Sequence, residues 1–248
     1  MKSIGIISQM DNNGIVLCIA RLVAGFGKKT ILVDATSAGR TRYTIPTMFG
    51  AARQEQTVIQ YDSIDVAVGF NNILELKKYL LTKGEDFNDF EYVFINTDRE
   101  EMCEEFDIKS AHKIFFTTTY DKYELNRGVE LLKYICATKR REDTQAVLNV
   151  NKILVYTEIR SQGNNYINSL TQELPIEWEG SDINLSYEEG DWSAFIQNQY
   201  SNKIEFKYLS KHTKEGIAEA ATRILEEPKD RVLKALKSIE KSAAFSKR

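Results

Sequence analysis

Residues 4–39 read IGIISQMDNNGIVLCIARLVAGFGKKTILVDATSAG, and two short β-branched runs in this stretch, IGIIS (4–8) and TILVD (30–34), enclose a segment of different period. Ile15, Ile19, Leu22, Val23 and Phe26 recur at helical spacing, so the stretch reads strand, helix, strand. The same alternation continues outward. YVFIN (92–96), KIFFTTT (113–119) and KILVYT (152–157) are further nearly continuous apolar runs, of the kind buried on both faces. Leu125, Val129, Leu132, Ile135 and Cys136 mark a helix between the last two. Alternating strands and helices imply right-handed crossovers, hence an α/β fold with a doubly wound, mostly parallel sheet flanked by helices.

Elsewhere the pattern is weaker. Residues 36–60 mix Gly, Ser, Thr and Pro without a clean period and read as a loop, a short helix and an uncertain strand. Asn72–Leu81, Tyr166–Leu174 and Glu215–Leu225 carry helical spacing, whereas Gly180–Asp191 is acidic and turn-like. No internal repeat or low-complexity linker interrupts the chain. One domain over residues 1–227 is expected, followed by a basic amphipathic helix over 228–248.

Composition narrows the class of function. With 248 residues, 42% of them hydrophobic, the chain is long enough for one sizeable core. The formal charge of −3 gives no global attraction for nucleic acid, and no such partner is expected. Cys18, Cys103 and Cys136 fit neither a metal spacing nor an even disulfide framework, which suits a reducing cytoplasm. A secretory leader and a spanning segment are both missing from the pattern, so contact with a membrane would be peripheral. Only two histidines occur, His112 before an expected buried strand and His212 in a polar loop, and neither suits a Ser/His/Asp or Cys/His arrangement. The GxGxxG fingerprint of dinucleotide enzymes is absent from the first turn.

In open parallel sheets the first strand-to-helix turn is the usual phosphate site, because a helix start offers unpaired amides. The sequence around it resembles the opening of the MinD/ParA ATPase family: a first strand, a loop of the form KGGVGKT, an apolar helix, Gly-Lys-Lys, and a second strand ending in Asp. Gly27-Lys28-Lys29 and Asp34 stand at the matching places. The resemblance implies a P-loop NTPase-like fold of the SIMIBI/MinD type. It extends through FEYVFINTD, where Asn96 takes the place of the family's metal-organising Asp, and through KIFFTTTYDKYELNRGVELLKYI (113–135). Counting back from Gly27 puts Asn12 and Asn13 where the family has its phosphate-binding Lys and magnesium-binding Thr. The loop keeps only Gly14 of the glycine pattern, and Asp11 is placed to N-cap the helix with its own negative charge. A degenerate site of Asp11, Asn12, Asn13, Gly14, Asp34 and Asn96 is therefore expected, with no catalytic residue, metal or cofactor.

Three functions from different classes remain open. The first is a non-catalytic scaffold or localisation protein, homodimeric or part of a heteromeric assembly, and the stretch NKIEFKYLSKHTKEGIAEAATRIL (202–225), read as strand, loop and helix, is similar to the end of TadZ/CpaE-like pilus-assembly proteins. The second is a nucleotide-dependent switch that borrows a lysine from a partner. The third is an unrelated α/β small-molecule enzyme. Arg40 and Arg42 could meet an anion, and Asp182, Glu188, Glu189 and Asp191 between Trp178 and Trp192 could form a protein contact or surround core tryptophans. In the tail, Val232, Leu233, Leu236, Ile239 and Ala243 fall on one side, with Lys234, Lys237 and Lys241 on or beside the other. That pattern suits either peripheral membrane contact, as in the membrane-targeting helix of MinD proteins, or packing on the domain or a partner.

Overall fold

The computed structural model describes residues 1–46, 56–138, 147–155, 160–186 and 188–245. Among these, the strands are β1 (Lys2–Ser8), β2 (Thr30–Asp34), β3 (Thr57–Tyr61), β4 (Ile64–Val68), β5 (Tyr92–Thr97), β6 (Lys113–Thr118), β7 (Leu148–Val155), β8 (Ile176–Trp178) and β9 (Ile183–Leu185). The helices are α1 (Asn13–Ala24), α2 (Ile73–Thr82), α3 (Glu100–Glu105), α4 (Lys122–Ala137), α5 (Arg160–Thr171), α6 (Glu189–Ser201), α7 (Lys211–Leu225) and α8 (Lys229–Phe245). All the strands share one sheet in the order β3-β4-β2-β5-β1-β6-β7, and β8 and β9 follow one another along the outer edge of β7. Among the described strands only the β3–β4 pair is antiparallel. The doubly wound parallel sheet expected from the alternation is thus present.

Each central strand feeds two cores, as its continuous apolar run requires. Ile6, Phe94 and Phe115 join α1, α7 and α8 on one face, while their neighbours Ile7, Ile95 and Phe116 join α2, α3 and α4 on the other. The chain order sets β2 on one side of β1 and β6 on the other, with β5 returning between β1 and β2. The strand order therefore reverses at β1, and its C-terminal end opens at the switch point where such sheets bind ligands.

Several expectations are corrected. The strand expected at the end of 36–60 is β3, and the described part of the loop before it holds a 3₁₀ turn at Arg40–Tyr43, while residues 47–55 lie outside the described residues. β4 was not foreseen. The hairpin before it turns through Asp62 and Ser63, both at positive φ, in place of the Asn-Gly or Asp-Gly pairs that normally announce such a turn. Gly180–Asp191 is not merely a turn, since it holds β9 and the start of α6, whose Glu188 and Asp191 form a capping box. The expected strand near Ile204 is irregular because side chains replace a ladder there. The Asp62 carboxylate accepts from Ile204 N–H at 3.0 Å, and Asn198 bonds both the N–H and the C=O of Glu205. Tyr156 and Thr157, expected to close the fifth strand, lie outside the described residues.

The tail helix forms, but its apolar side is not open to an external surface. Val232 and Leu236 are buried with α1 and α7, and Leu233 and Ile239 pack against the same core. A Cβ on Gly25, at the end of α1, would come within 2.7 Å of Ile239 Cδ1, so the two helices meet at close range. Lys234, Lys237 and Lys241 remain exposed. An interfacial helix needs both an apolar and a basic half, and here only the basic half faces outward.

Candidate functional site

The loop Gln9–Asn12 joins β1 to α1 at the switch point. Ser8 Oγ and Gln9 Nε2 pin it, the first to the backbone of Met10 and the second to Asp98 C=O at 3.0 Å. Asn12, not Asp11, occupies the N-cap position, and its side chain caps no amide. It turns inward instead. Asn12 Nδ2 donates to Asn96 Oδ1 at 3.1 Å, and Asn96 Nδ2 donates back to Asn12 Oδ1 at 2.9 Å. Both residues are buried, and Asn96 is held at the end of β5 by its register with Ile6 on one side and Asp34 on the other. A reciprocal amide pair satisfies each partner without net charge, which is why it is tolerated in the interior.

Asp34 is committed to its own loop. One carboxylate oxygen accepts from Thr36 N–H at 3.0 Å and Thr36 Oγ at 2.6 Å, and the other accepts from Thr41 N–H at 2.9 Å. Thr41 Oγ in turn donates to Asn13 Oδ1 at 3.1 Å, tying the 3₁₀ turn to the first residue of α1. Asp11 lies at the rim. It accepts from Asn13 N–H at 3.3 Å and pairs with Arg40 at 2.8 Å, so it takes one first-turn amide where a full cap was expected. Gly14, the remnant of the glycine pattern, serves packing: the ring of Phe195 on α6 would sit 2.5 Å from a Cβ there.

The structure therefore brings Asp11, Asn12, Asn13, Asp34 and Asn96 together at the head of α1 in two adjoining sets of bonds, the Asn12–Asn96 pair and the chain from Asp34 through Thr41 and Asn13 to Asp11, with Gly14 behind them. Thr41, Phe195 and Asp98, which accepts from Ser37, also lie there and were not singled out from sequence, where no local motif marks them. The phosphate and metal positions of the resemblance carry neutral amides bonded to each other and to Thr41. Among the described residues, these three positions supply no positive charge for phosphate and no carboxylate for a metal, the contacts that the family pattern places there.

The other candidates disperse. Trp178 packs beneath Phe116 with the Lys152 ammonium 4.7 Å from its ring, and Asp182 pairs with Lys152 at 3.0 Å. Asp191 is buried and accepts from Ser210 N–H, Ser210 Oγ and Thr213 Oγ, which fastens α6 to α7. Glu188, Glu189 and Trp192 are exposed. His112 lies 3.5 Å from Glu226, far from the head of α1 in the sheet, and its pKa is lowered by burial and by Lys2. Burial pushes the Cys103 thiol up to about 12 and the Cys18 thiol higher still, which disfavours the thiolate in both.

No protein-family model matches the sequence, and no curated protein matches it. Solved structures do. A chain of the MinC:MinD cell division protein complex from Aquifex aeolicus superimposes with a TM-score of 0.60 at 13% identity, over 92% of this chain and 97% of that one. A ParA family ATPase from Chlorobium tepidum gives 0.60 at 13% identity, over 89% and 97%. McdA from a Cyanothece strain, in its apo form, gives 0.51 at 12% identity, over 95% and 99%. Agreement over nearly the full length of each chain, together with the observed strand order, establishes that this protein has the MinD/ParA fold.

Proposed function

We propose that this chain is a MinD/ParA-type positioning scaffold that works without nucleotide turnover, assembling with a second copy of itself or with other proteins of a membrane-associated machine such as a pilus or secretion system. The observation that carries the reading is the reciprocal bond between Asn12 and Asn96. Phosphoryl transfer depends almost wholly on positioned charge, and loss of a single preorganised donor typically lowers a rate by about 10²–10³. Here the lysine, the hydroxyl and the metal-organising carboxylate are replaced together; two of the replacements, Asn12 and Asn96, bond each other and the third, Asn13, accepts from Thr41. The fold supports a positioning or partitioning role, since proteins of that kind share it. The exposed lysines of α8 supply a face for an acidic partner. The test is phosphate release from ATP and GTP with Mg²⁺, compared with a heat-denatured control through successive purification steps, together with identification of proteins that co-purify from the host. Release that persists with constant specific activity would overturn the reading.

A further inference from the structure

Helix α8 is clamped to α7 toward both its ends. Lys229 pairs with Glu219 at 3.0 Å and Glu240 with Lys214 at 2.7 Å, while Val232 and Leu236 between them are buried. The helix is therefore held against rolling, and the side it turns to solvent is fixed. That side carries a row of lysines. Lys234, Lys237 and Lys241 are exposed, and among the described residues none of them has an ion pair, a hydrogen bond or a ring contact. Asp230, one turn before Lys234, does not pair with it. At about 3.6 residues per turn the three positions lie within about 60° of one another, along about 10 Å of helix axis. Lys78 on α2 and Lys133 on α4 are the other described lysines in this condition, one to a helix.

Lys237 stands three residues from Lys234 and four from Lys241, so like charges repel along the whole row. Opposite charge brought from outside relieves this. The basic groups bordering the row are already neutralised, Arg231 by Glu227 at 2.8 Å and Lys214 by Glu240, which leaves the positive field narrow. A nucleic acid, with about one charge per 1.7 Å of duplex axis, calls for a broader field. A bilayer needs the apolar side that α8 has spent inside the fold. An α-helix with carboxylates three and four residues apart repeats the pitch of the row and matches its width. We propose that Lys234, Lys237 and Lys241 dock an acidic helical segment of a partner protein, each ammonium facing one carboxylate. Surface ion pairs are weak singly, so the row sets register and encounter rate more than raw affinity. The proposal rests on the scaffold reading and deepens it, by naming the face through which the scaffold holds a partner.

The test uses the full chain and fluorescence anisotropy at low salt. The probe is a labelled alanine-based peptide of about 18 residues, long enough to be helical, with glutamates three and four residues apart on one face. Its counterparts are the same peptide with glutamine for glutamate, a labelled DNA duplex, and vesicles containing phosphatidylserine. The glutamate peptide is expected to bind, to weaken with added salt, and to bind at least tenfold more tightly than the glutamine peptide. Joint substitution Lys234→Glu, Lys237→Glu and Lys241→Glu should weaken it at least tenfold with an unchanged urea midpoint, and Lys78→Glu with Lys133→Glu should leave it unchanged. If charge reversal disturbs folding, the same three changes to Gln decide. No binding of the glutamate peptide, equal binding of the glutamine peptide, an equal loss in the Lys78 and Lys133 variant, or tighter binding of the duplex or the vesicles would each overturn the proposal. Phosphate release is read separately: release would overturn the scaffold reading with the peptide result unchanged, whereas absence of both release and peptide binding would overturn this face alone.

Discussion

Phe195 lies over Gly14 so closely that a methyl group at residue 14 would stand 2.5 Å from its ring. Ala in a helix is ordinarily better than Gly by about 0.5–1 kcal/mol. Here the sign should reverse, because α6 must move back from α1 to admit the methyl, and overpacking of this kind costs about 1–3 kcal/mol. Gly14→Ala is therefore expected to lower the urea midpoint, and adding Phe195→Ala to recover part of the loss relative to the sum of the single changes. A Gly14→Ala chain more stable than the parent would show that the two helices are not in this contact in solution.

Restoring the carboxylate of the family pattern is expected to harm the fold. In Asn96→Asp, Asn12 Nδ2 keeps an acceptor but Asn12 Oδ1 loses its donor, in a place that is almost dry. An orphaned buried polar group costs about 1–3 kcal/mol, and the buried charge adds to it. Chemical denaturation checks the size. An unchanged midpoint would mean that water already reaches the pair.

Leu236 on α8 is 3% exposed and belongs to the core shared with α1. Leu236→Ala should cost about 2–5 kcal/mol, the range for such truncations in a packed core. Vesicles rich in anionic lipid should float neither the parent nor this variant. Flotation of the parent that vanishes in Leu236→Ala, with stability unaltered, would return the helix to the membrane.

Glu179 links pH to stability. Burial pushes its pKa up, but hydrogen bonds from Lys113 and Asn151 and the charges of Lys113 and Arg223 outweigh that and hold it below the usual carboxylate range. The unfolded chain thus binds this proton more readily than the folded one. Its stabilising contribution is complete above the ordinary Glu pKa of about 4.3 and disappears as pH falls through the lower folded value. Glu179→Gln should flatten the acid limb of a plot of urea midpoint against pH between neutrality and pH 3. A limb of the same slope in both chains would remove Glu179 as its source.

The central strands were legible because each is a continuous run of β-branched and aromatic residues, and TILVD coincides with β2 residue for residue. The same signal fails where side chains substitute for backbone pairing, as Asn198 and Asp62 do at Ile204 and Glu205. Acidic residues at 182–191 suggested a loop, yet Asp191 is a buried hinge point for two helices. At the site, counting back from Gly27 placed Asn12, and the match through FEYVFINTD placed Asn96. Their mutual bond has no local signature, because the partners are 84 residues apart and neutral amides appear at turns for many reasons.

The packing of α8 against α1 also sets a clock on the birth of the molecule. The first helix finds its lasting cover in the last two, and the same end-to-end closure is repeated where Lys2 pairs with Glu226 across 224 positions. At a synthesis rate of about 5–20 residues per second, a chain emerging from the ribosome waits on the order of 10–40 seconds between exposing Ile15, Ile19 and Leu22 and producing the helices that shelter them. Throughout that interval the apolar side of α1 is available to holding chaperones, and final consolidation must await the arrival of the C-terminal helices.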